Sequence, residues 1–336
     1  MTDPNAPRLT ATLWADPARR PAQEPGAVPP AYDPARYAVP EDVPDGEGTR
    51  RRSRSDEGRR RNLQYPPAPE PLPHPVADNH THMDLQDGEV AVSVRDAVDA
   101  AALAGVAGVV QVGCDVPSSR FAVAAAEADP RVLAAVALHP NEAPGLAAAG
   151  QLDEALAEIR RLGDHERVRA FGETGLDYFR TEGEGREHQK RSFREHIRFA
   201  RETGKALQIH DRDAHADVVA VLLEEGAPER TVFHCFSGDV ELARTCNEQG
   251  WYMSFSGTVT FKNSTGLRAA LHEARPELVL VETDAPFLTP HPYRGRPNAS
   301  YVTNWTVRGM AQELEQDLEQ LCRQLWTNTR DVYGDF

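Results

Sequence analysis

The chain has 336 residues, 40% of them hydrophobic, and a formal net charge of −15. This length allows one large domain or two ordinary ones, and it excludes a small scaffold that depends on disulfides. The acidic balance argues against a protein that follows a long nucleic-acid backbone with a broad basic surface, although metal ions could supply positive charge at a site.

The cysteines and the N-terminus indicate the compartment. The four cysteines are widely spaced and form no C-x-x-C pair, so neither a zinc ribbon nor a disulfide framework is suggested. The N-terminus lacks a basic start followed by an apolar segment, and no window approaches about 18 consecutive apolar residues. We therefore expect a soluble, cytoplasmic protein with reduced thiols and no membrane partner.

Residues 1–75 differ in composition from the rest of the chain. They contain 16 of the 26 prolines, an arginine-rich run from Arg50 to Arg61 (RRRSRSDEGRRR) and a proline-rich run from Tyr65 to Pro75. Frequent proline and few apolar residues cannot offset the entropy cost of ordering, so we expect a disordered N-terminal extension over 1–75. The arginine run could contact nucleic acid or an acidic partner, or it could be a solvated charge cluster in a linker.

From residue 76 onward, short apolar β-type runs alternate with longer stretches of helical period, which is typical of repeated βα units. Eight such units in about 260 residues predict a TIM-type (β/α)8 barrel over residues 76–336, whereas a doubly wound sheet would accommodate six or seven of the strands. A helix is expected after the first strand, and another after the fourth strand that ends at the C-cap Gly204. The predicted strands are Pro75–His80, Gly108–Gly113, Val132–His139, Val168–Glu173, Lys205–His210, Thr231–Phe236, Trp251–Ser256 and Leu278–Asp284.

The apolar strands end in residues that can bind metals. Active sites of these barrels collect where the strands end and the βα loops begin. A lone histidine such as His234 is more often a core or rim residue than a ligand, but His80 and His82 leave one strand on one face and can share an ion. The joint placement predicts a metal site. Its predicted ligands are His80, His82, Glu173, His210, His234 and Asp284, and His139 also ends a strand.

Six ligands exceed what one tetrahedral zinc ion needs, so two ions bridged by a carboxylate are the natural arrangement. Glu173 is the best candidate for the bridge because it is the only carboxylate at a strand end in the middle of the barrel. Asp284 would hold one ion and could take the proton from the attacking water, which makes Glu173 and Asp284 the predicted catalytic residues. Imidazole and carboxylate ligands suit several divalent metals, and Mg, Mn or Zn are expected.

Seven motifs in order resemble those of the TatD family of metal-dependent deoxyribonucleases, within the amidohydrolase superfamily. The resemblance runs through residues 76–336. The motifs are DNHTHMD, ALHPNEA, AFGETGLDYFR with Gln189 and Phe193, QIHDRDAHADV, VFHCFSGDVELA, FSGTVTFKN and VETDAPFLTPHPYRGRPNASYV.

The resemblance implies hydrolysis of phosphodiesters, commonly as an exonuclease on single-stranded DNA or RNA ends. It assigns His80, His82, Glu173 and Asp284 to one ion, and Glu173, His210 and His234 to the other. The expected partners are therefore nucleic-acid ends, and the protein is expected to be a monomer.

Three further residues are assigned to substrate binding. His139 ends the third strand, Arg212 lies two residues past His210, and Lys262 follows the seventh strand. Arg212 could pair with a phosphate or with Asp211 or Asp213, and Lys262 could bind substrate or remain solvated.

Two positions depart from the family pattern. Asn141 stands where a second histidine usually follows the H-P pair, and RPNAS lacks the acidic residue and proline that commonly follow the asparagine. Two other functions stay open: hydrolysis of a small ester, amide or phosphoester, and a non-catalytic metal-binding or interaction module.

Overall fold

The computed structural model describes residues 61–67, 69–85, 87–88 and 92–336. Eight parallel strands pair in sequence order, which confirms the predicted (β/α)8 barrel. The strands are β1 (Val76–Thr81), β2 (Val106–Val112), β3 (Val132–Val136), β4 (Val168–Asp177), β5 (Ala206–Arg212), β6 (Thr231–Phe233), β7 (Tyr252–Phe255) and β8 (Val279–Val281).

Helices cover the outside of the barrel. Side chains of Ser93 and Asp239 cap two of them by accepting backbone N–H bonds, and the predicted C-cap Gly204 adopts a left-handed conformation with φ 66°. No helix in the described ranges is both long enough and apolar enough to cross a membrane. The helices are α1 (Val94–Leu103), α2 (Val116–Ala128), α3 (Glu142–Ala148), α4 (Leu152–Leu162), α5 (Glu184–Thr203), α6 (His215–Glu225), α7 (Val240–Gln249), α8 (Thr265–Glu273), α9 (Thr303–Glu313) and α10 (Leu318–Tyr333).

The ends of β1 and β8 meet through the segment that follows β8. The backbone N–H of Asp284 donates to the His80 carbonyl (2.9 Å), and that of His82 donates to the Ala285 carbonyl (2.8 Å). The buried carboxylate of Asp78 accepts bonds from the backbone N–H (2.8 Å) and the hydroxyl (2.6 Å) of Thr283. Asp78 therefore ties β1 to the chain beyond β8.

Two apolar clusters pack the barrel. The larger lies between strands and helices, and the smaller contains alternate residues of six strands together with Val332 and Tyr333 of α10. Ala206, Val232 and Leu280 belong to the smaller cluster, and period two places them on the same strand faces as His210, His234 and Glu282. The smaller cluster therefore fills the barrel interior beneath those polar residues.

The chain before β1 packs on the barrel, which differs from the predicted boundary of the disordered extension. Tyr65 and Leu72 are buried in the larger cluster. The indole N–H of Trp305 donates to the Pro67 carbonyl (3.3 Å), and the Asn304 amide donates to the Glu70 carbonyl (2.9 Å). Proline lacks an N–H but keeps its carbonyl, so side chains of α9 can satisfy this extended segment.

The rest of the predicted extension, including Arg50 to Arg60 of the arginine run, lies outside the described residues. Its last arginine, Arg61, donates to the Asp87 carboxylate (2.9 Å) and to the Gly295 carbonyl (3.0 Å).

Candidate metal centre

His80 and His82 form one side of the candidate metal centre. His80 lies near the end of β1, and His82 follows the last residue of that strand. Alternation along the strand brings both imidazoles to the barrel interior, where their Nε2 atoms lie 3.2 Å apart. The carbonyl of Val112 lies 3.1 Å from His82 Nδ1, so it can accept from that nitrogen and leave Nε2 free to bind an ion.

Glu173 lies between two groups of histidines. Its Oε1 atom is 2.6 Å from His210 Nδ1 and 3.0 Å from His234 Nε2. Its Oε2 atom is 3.6 Å from His80 Nε2 and 3.7 Å from His82 Nε2. One carboxylate therefore presents each oxygen to a different pair of imidazoles.

The position of Glu173 along its strand differs from the prediction. We expected it at the end of β4, but the strand continues four residues further, to Asp177. The pairing of β4 with β5 shifts register between Phe171 and Thr174, on either side of Glu173. Such an irregularity re-aims a side chain without ending the strand, which explains why Glu173 faces the centre from mid-strand.

Asp284 lies beyond the end of β8 and completes the centre on the side of His80 and His82. Its backbone is left-handed, with φ 54°, a conformation that aspartate tolerates better than most residues. Its Oδ1 atom is 3.5 Å from His82 Nε2 and 3.9 Å from His80 Nε2. The carboxylate thus faces the same two imidazoles as Glu173 Oε2.

His139 lies on the other side of Glu173. Its Nε2 atom is 3.4 Å from Glu173 Oε1, and its ring centroid is 4.5 Å from that of His210. Buried His196 supports this loop by accepting the backbone N–H of Leu138 (3.1 Å). We assigned His139 to substrate binding, and the structure places it among the candidate ligands.

Two carboxylates that the sequence analysis did not assign support the histidines. Glu282 Oε1 lies 3.0 Å from His234 Nδ1, and Asp177 Oδ2 lies 3.4 Å from His210 Nε2. The amide of Asn141 donates to Asp177 (2.9 Å), so the residue that departs from the family pattern links the H-P loop to β4. Period two could have revealed Glu282, because it lies two residues before Asp284.

Two thiols lie near the centre. Cys114 Sγ is 3.6 Å from Glu173 Oε2, and Cys235 Sγ is 3.4 Å from the hydroxyl of Ser256. All four cysteines are free, as the spacing predicted.

Charges inside the centre stabilise one another. Burial alone would raise the pKa of Glu173, but His234 and His139 outweigh it and hold the pKa well below its usual range. Burial likewise opposes protonation of His234, yet the Glu173 and Glu282 carboxylates raise its pKa well above the usual value. Burial lowers the pKa of His80 and His139. Such a centre holds carboxylate charge that a divalent cation can neutralise.

The donor set fits divalent metals. In the described part of the chain, three groups of His and carboxylate side chains have ligand atoms within 4.8 Å of one another. Imidazole and carboxylate donors suit Zn, Mn and Fe, and carboxylates with water suit Mg. The groups are His80 with His82 and Glu173, His80 with His234 and Glu282, and His139 with Glu173 and His210. Five of the six predicted ligands belong to these groups. The sixth, Asp284, lies 3.5 Å from His82 Nε2, and the roles of all six stay predictions.

Arg212 and Lys262, the other two predicted substrate-binding residues, lie outside this cluster. The Arg212 guanidinium lies over the Phe179 ring, 3.9 Å from its centroid, and makes no ion pair with another described residue. Exposed Lys262 lines a groove of about 680 Å³ together with Phe261, His291 and Trp305.

Comparison with known proteins gives consistent results. The TatD related DNase family matches residues 77–334. The chain is 46% identical to the uncharacterized metal-dependent hydrolase TatD of Mycobacterium tuberculosis (strain ATCC 25618 / H37Rv) over 263 residues, covering 77% of this chain and 98% of that protein. It is 34% identical to the uncharacterized metal-dependent hydrolase YabD of Bacillus subtilis (strain 168), covering 76% and 98%.

A solved structure shares the fold. The crystal structure of YjjV, a TatD homologue from Escherichia coli K12, superposes with a TM-score of 0.70 at 22% identity, covering 77% of this chain and 98% of that one.

Proposed function

The chain is a metal-dependent hydrolase of the TatD family, and from this premise we propose that it hydrolyses phosphodiester bonds at the ends of single-stranded DNA. Single-stranded RNA ends are a second substrate of the same chemistry. The proposed centre uses two divalent ions, of which Mg, Mn and Zn are the candidates.

The position of Glu173 supports the two-ion centre most directly. Its Oε1 atom faces His210 and His234 at 2.6 and 3.0 Å, and its Oε2 atom faces His80 and His82 at 3.6 and 3.7 Å. A carboxylate that serves a single ion has no need of imidazole pairs on both oxygens.

Two sets of side chains would hold the ions. His80, His82, Glu173 and Asp284 would hold one, and Glu173, His210 and His234 would hold the other. When bound, such a pair of ions activates water and neutralises charge on the attacking and leaving oxygens. His139, within 3.4 Å of Glu173 Oε1, lies where it could contact the second ion or a substrate oxygen.

Asp284 is proposed to accept the proton of the attacking water. Its side chain is 14% exposed, more than Glu173 at 7%, so it can be reached from the mouth of the barrel. Burial alone would raise the pKa of Asp284, but His82 and His234 outweigh it and lower the pKa, so the carboxylate is in the ionised form that a general base requires. Glu282 and Asp177 hold His234 and His210 in position.

The experiment is hydrolysis of single-stranded oligonucleotides labelled at the 5′ or the 3′ end, with Mg²⁺ or Mn²⁺. We expect products that shorten stepwise from one end, slower cleavage of blunt duplexes, and no product from Glu173→Ala. Exposed Glu202 on α5 offers a matched control, and Glu202→Ala should cleave like the wild type.

Other outcomes would replace the proposal. Absence of product above the Glu173→Ala background, with turnover of a small ester, amide or phosphoester, would assign the centre to a small-molecule hydrolase. Protein that contains almost no metal as purified, and that stays inactive on all these substrates after divalent ions are added, would indicate a non-catalytic module.

A further inference from the structure

Phe179 is an exposed aromatic side chain at the mouth of the barrel. It is 62% exposed, and it and Leu223, at 56%, are the exposed large hydrophobic residues of the described chain. Leu223 lies on the outer helix α6, whereas Phe179 lies two residues past Asp177, which contacts His210. An aromatic ring exposed beside a candidate active site costs hydrophobic free energy that an interaction with a ligand would recover.

The side chain of Arg212 shares this location because of strand register. β4 and β5 pair Asp177 with Arg212, and the backbone N–H of Tyr178 donates to the Arg212 carbonyl (2.9 Å). Period two places Arg212 on the same face of β5 as His210, about 7 Å further along the strand. Asp211, on the opposite face, contacts His215 (2.7 Å).

The two side chains stack on each other. The guanidinium carbon of Arg212 lies 3.9 Å from the centroid of the Phe179 ring. Because the guanidinium covers one face of the ring, much of the exposed area lies on the opposite face and the edge. The surface thus combines an accessible π-face with a cation that has no carboxylate partner among the described residues.

We propose that Phe179 stacks on the base of the nucleotide next to the scissile phosphate, and that Arg212 braces the ring and pairs with a phosphate. This inference rests on the proposed function and specifies how the end of the nucleic-acid strand is bound. A base can stack on a protein ring only if one of its faces is free, as at a single-stranded end. Stacking of this kind accepts every base, because each has a π-face.

The test uses three substitutions of Phe179 and one control. Phe179→Ala should raise KM for single-stranded oligonucleotides about tenfold with little change in kcat, because stacking on one aromatic side chain contributes on this scale. Phe179→Trp should restore KM, and Phe179→Leu, which keeps size but not the π-face, should not. Leu223→Ala removes the other exposed apolar side chain and should leave both constants unchanged.

A second substrate isolates the stacking. An oligonucleotide whose first and last nucleotides are abasic keeps all its phosphates but offers no base at either end. Wild type and Phe179→Ala should cleave it with equal KM, close to that of Phe179→Ala on the normal strand. An unchanged KM for Phe179→Ala on the normal strand, or an equal loss on both substrates, would overturn the inference while the nuclease stands.

A direct binding measurement covers the case in which the wild type cleaves no nucleic acid. Fluorescence anisotropy with a labelled single-stranded oligonucleotide and Mg²⁺ then reports affinity without hydrolysis. If the wild type binds and Phe179→Ala binds about tenfold more weakly, the stacking role of Phe179 stands and only the proposed nuclease activity is overturned. No binding by the wild type would overturn both.

Discussion

The two ends of the barrel interior are built from the same strands but differ in chemistry. One face of β5 carries Ala206, Gln208 and His210 in that order. At β8 the corresponding positions are Leu280, inside the strand, and Glu282, just past its end. Gln208 marks the change, since its amide donates to the Asn79 carbonyl (2.9 Å) and to the hydroxyl of Tyr333 (2.6 Å). The lower end, where the strands begin, is apolar and covered by Val332 and Tyr333 of α10, and the upper end, where the strands end, holds the candidate ligands.

This difference separates stability from chemistry. Apolar residues at the lower end stabilise the fold by leaving water. Carboxylates at the upper end cost free energy to bury unless they are paired, and Glu173 is paired with five imidazoles. Substitutions at the lower end should therefore reduce stability, and those at the upper end should reduce activity.

The largest expected effect is at the upper end. Glu173→Ala or Asp284→Ala should lower hydrolysis by several orders of magnitude, because each removes a group that serves the transition state. His139→Ala should be milder. Steady-state kinetics measure the loss of activity, and a urea titration should show that each variant is still folded.

A Glu173→Ala or Asp284→Ala variant that keeps more than about a tenth of the wild-type rate would show that the wrong residue was chosen. An unfolded variant would show that the ligands also hold the barrel together, and the division between the two ends would then fail.

At the lower end, Leu280→Ala should reduce stability and leave activity unchanged. Leu280 is completely buried, so the substitution should lower the free energy of unfolding by about 2–5 kcal/mol while the folded fraction keeps its kcat. Urea denaturation and active-site-normalised kinetics measure the two quantities. A kcat that falls with the stability would mean that the two ends are coupled.

The buried His196 beneath the His139 loop predicts a pH effect on stability. Burial lowers its pKa to about 4 in the folded protein, and the unfolded value is near 6.5. As pH falls, His196 therefore takes up its proton in the unfolded chain first, which favours unfolding. Its contribution to the free energy of unfolding is fully present above about pH 6.5 and falls by up to about 3 kcal/mol as pH falls toward 4. His196→Gln should lose less stability over that range in parallel denaturant titrations. An equal loss in both proteins would contradict it.

Glu282→Gln tests a supporting residue of the upper end. Loss of the carboxylate beside His234 should reduce metal affinity or activity about 10–100-fold, which is the usual effect of removing such a partner. Calorimetric titration of the metal-free protein gives the affinity directly. Unchanged metal binding and activity would leave Glu282 with only its bond to the backbone of Cys235.

The smallest expected effects concern the N-terminal chain. Removal of residues 1–60 should leave kcat and KM on short substrates unchanged. Removal of residues 1–75 should lower thermal stability, because it takes Tyr65 and Leu72 from the apolar cluster. Thermal melts of the two truncations show the contrast, and equal melting temperatures would place the true boundary at residue 75.

The fold, and the convergence of the candidate ligands on one centre, could be predicted because most strands carry their own signal. A short apolar run followed by His, Glu or Asp predicts both a strand and the end of that strand at which the candidate site lies. The exceptions are tertiary: the register shift that places Glu173 in mid-strand, and the backbone turn that carries Asp284 beyond β8. The docking of Tyr65 and Leu72 was also missed, because composition cannot show that α9 supplies donors for a proline-rich segment.

In the proposed metal centre, the carboxylate of Glu173 serves two ions. Anomalous diffraction from crystals soaked in Mn²⁺ tests it most directly. We expect two peaks about 3.5–4 Å apart, one beside each oxygen of Glu173, with His80 and His82 on one and His210 and His234 on the other. A single peak at full occupancy, or two peaks that do not share Glu173, would contradict it.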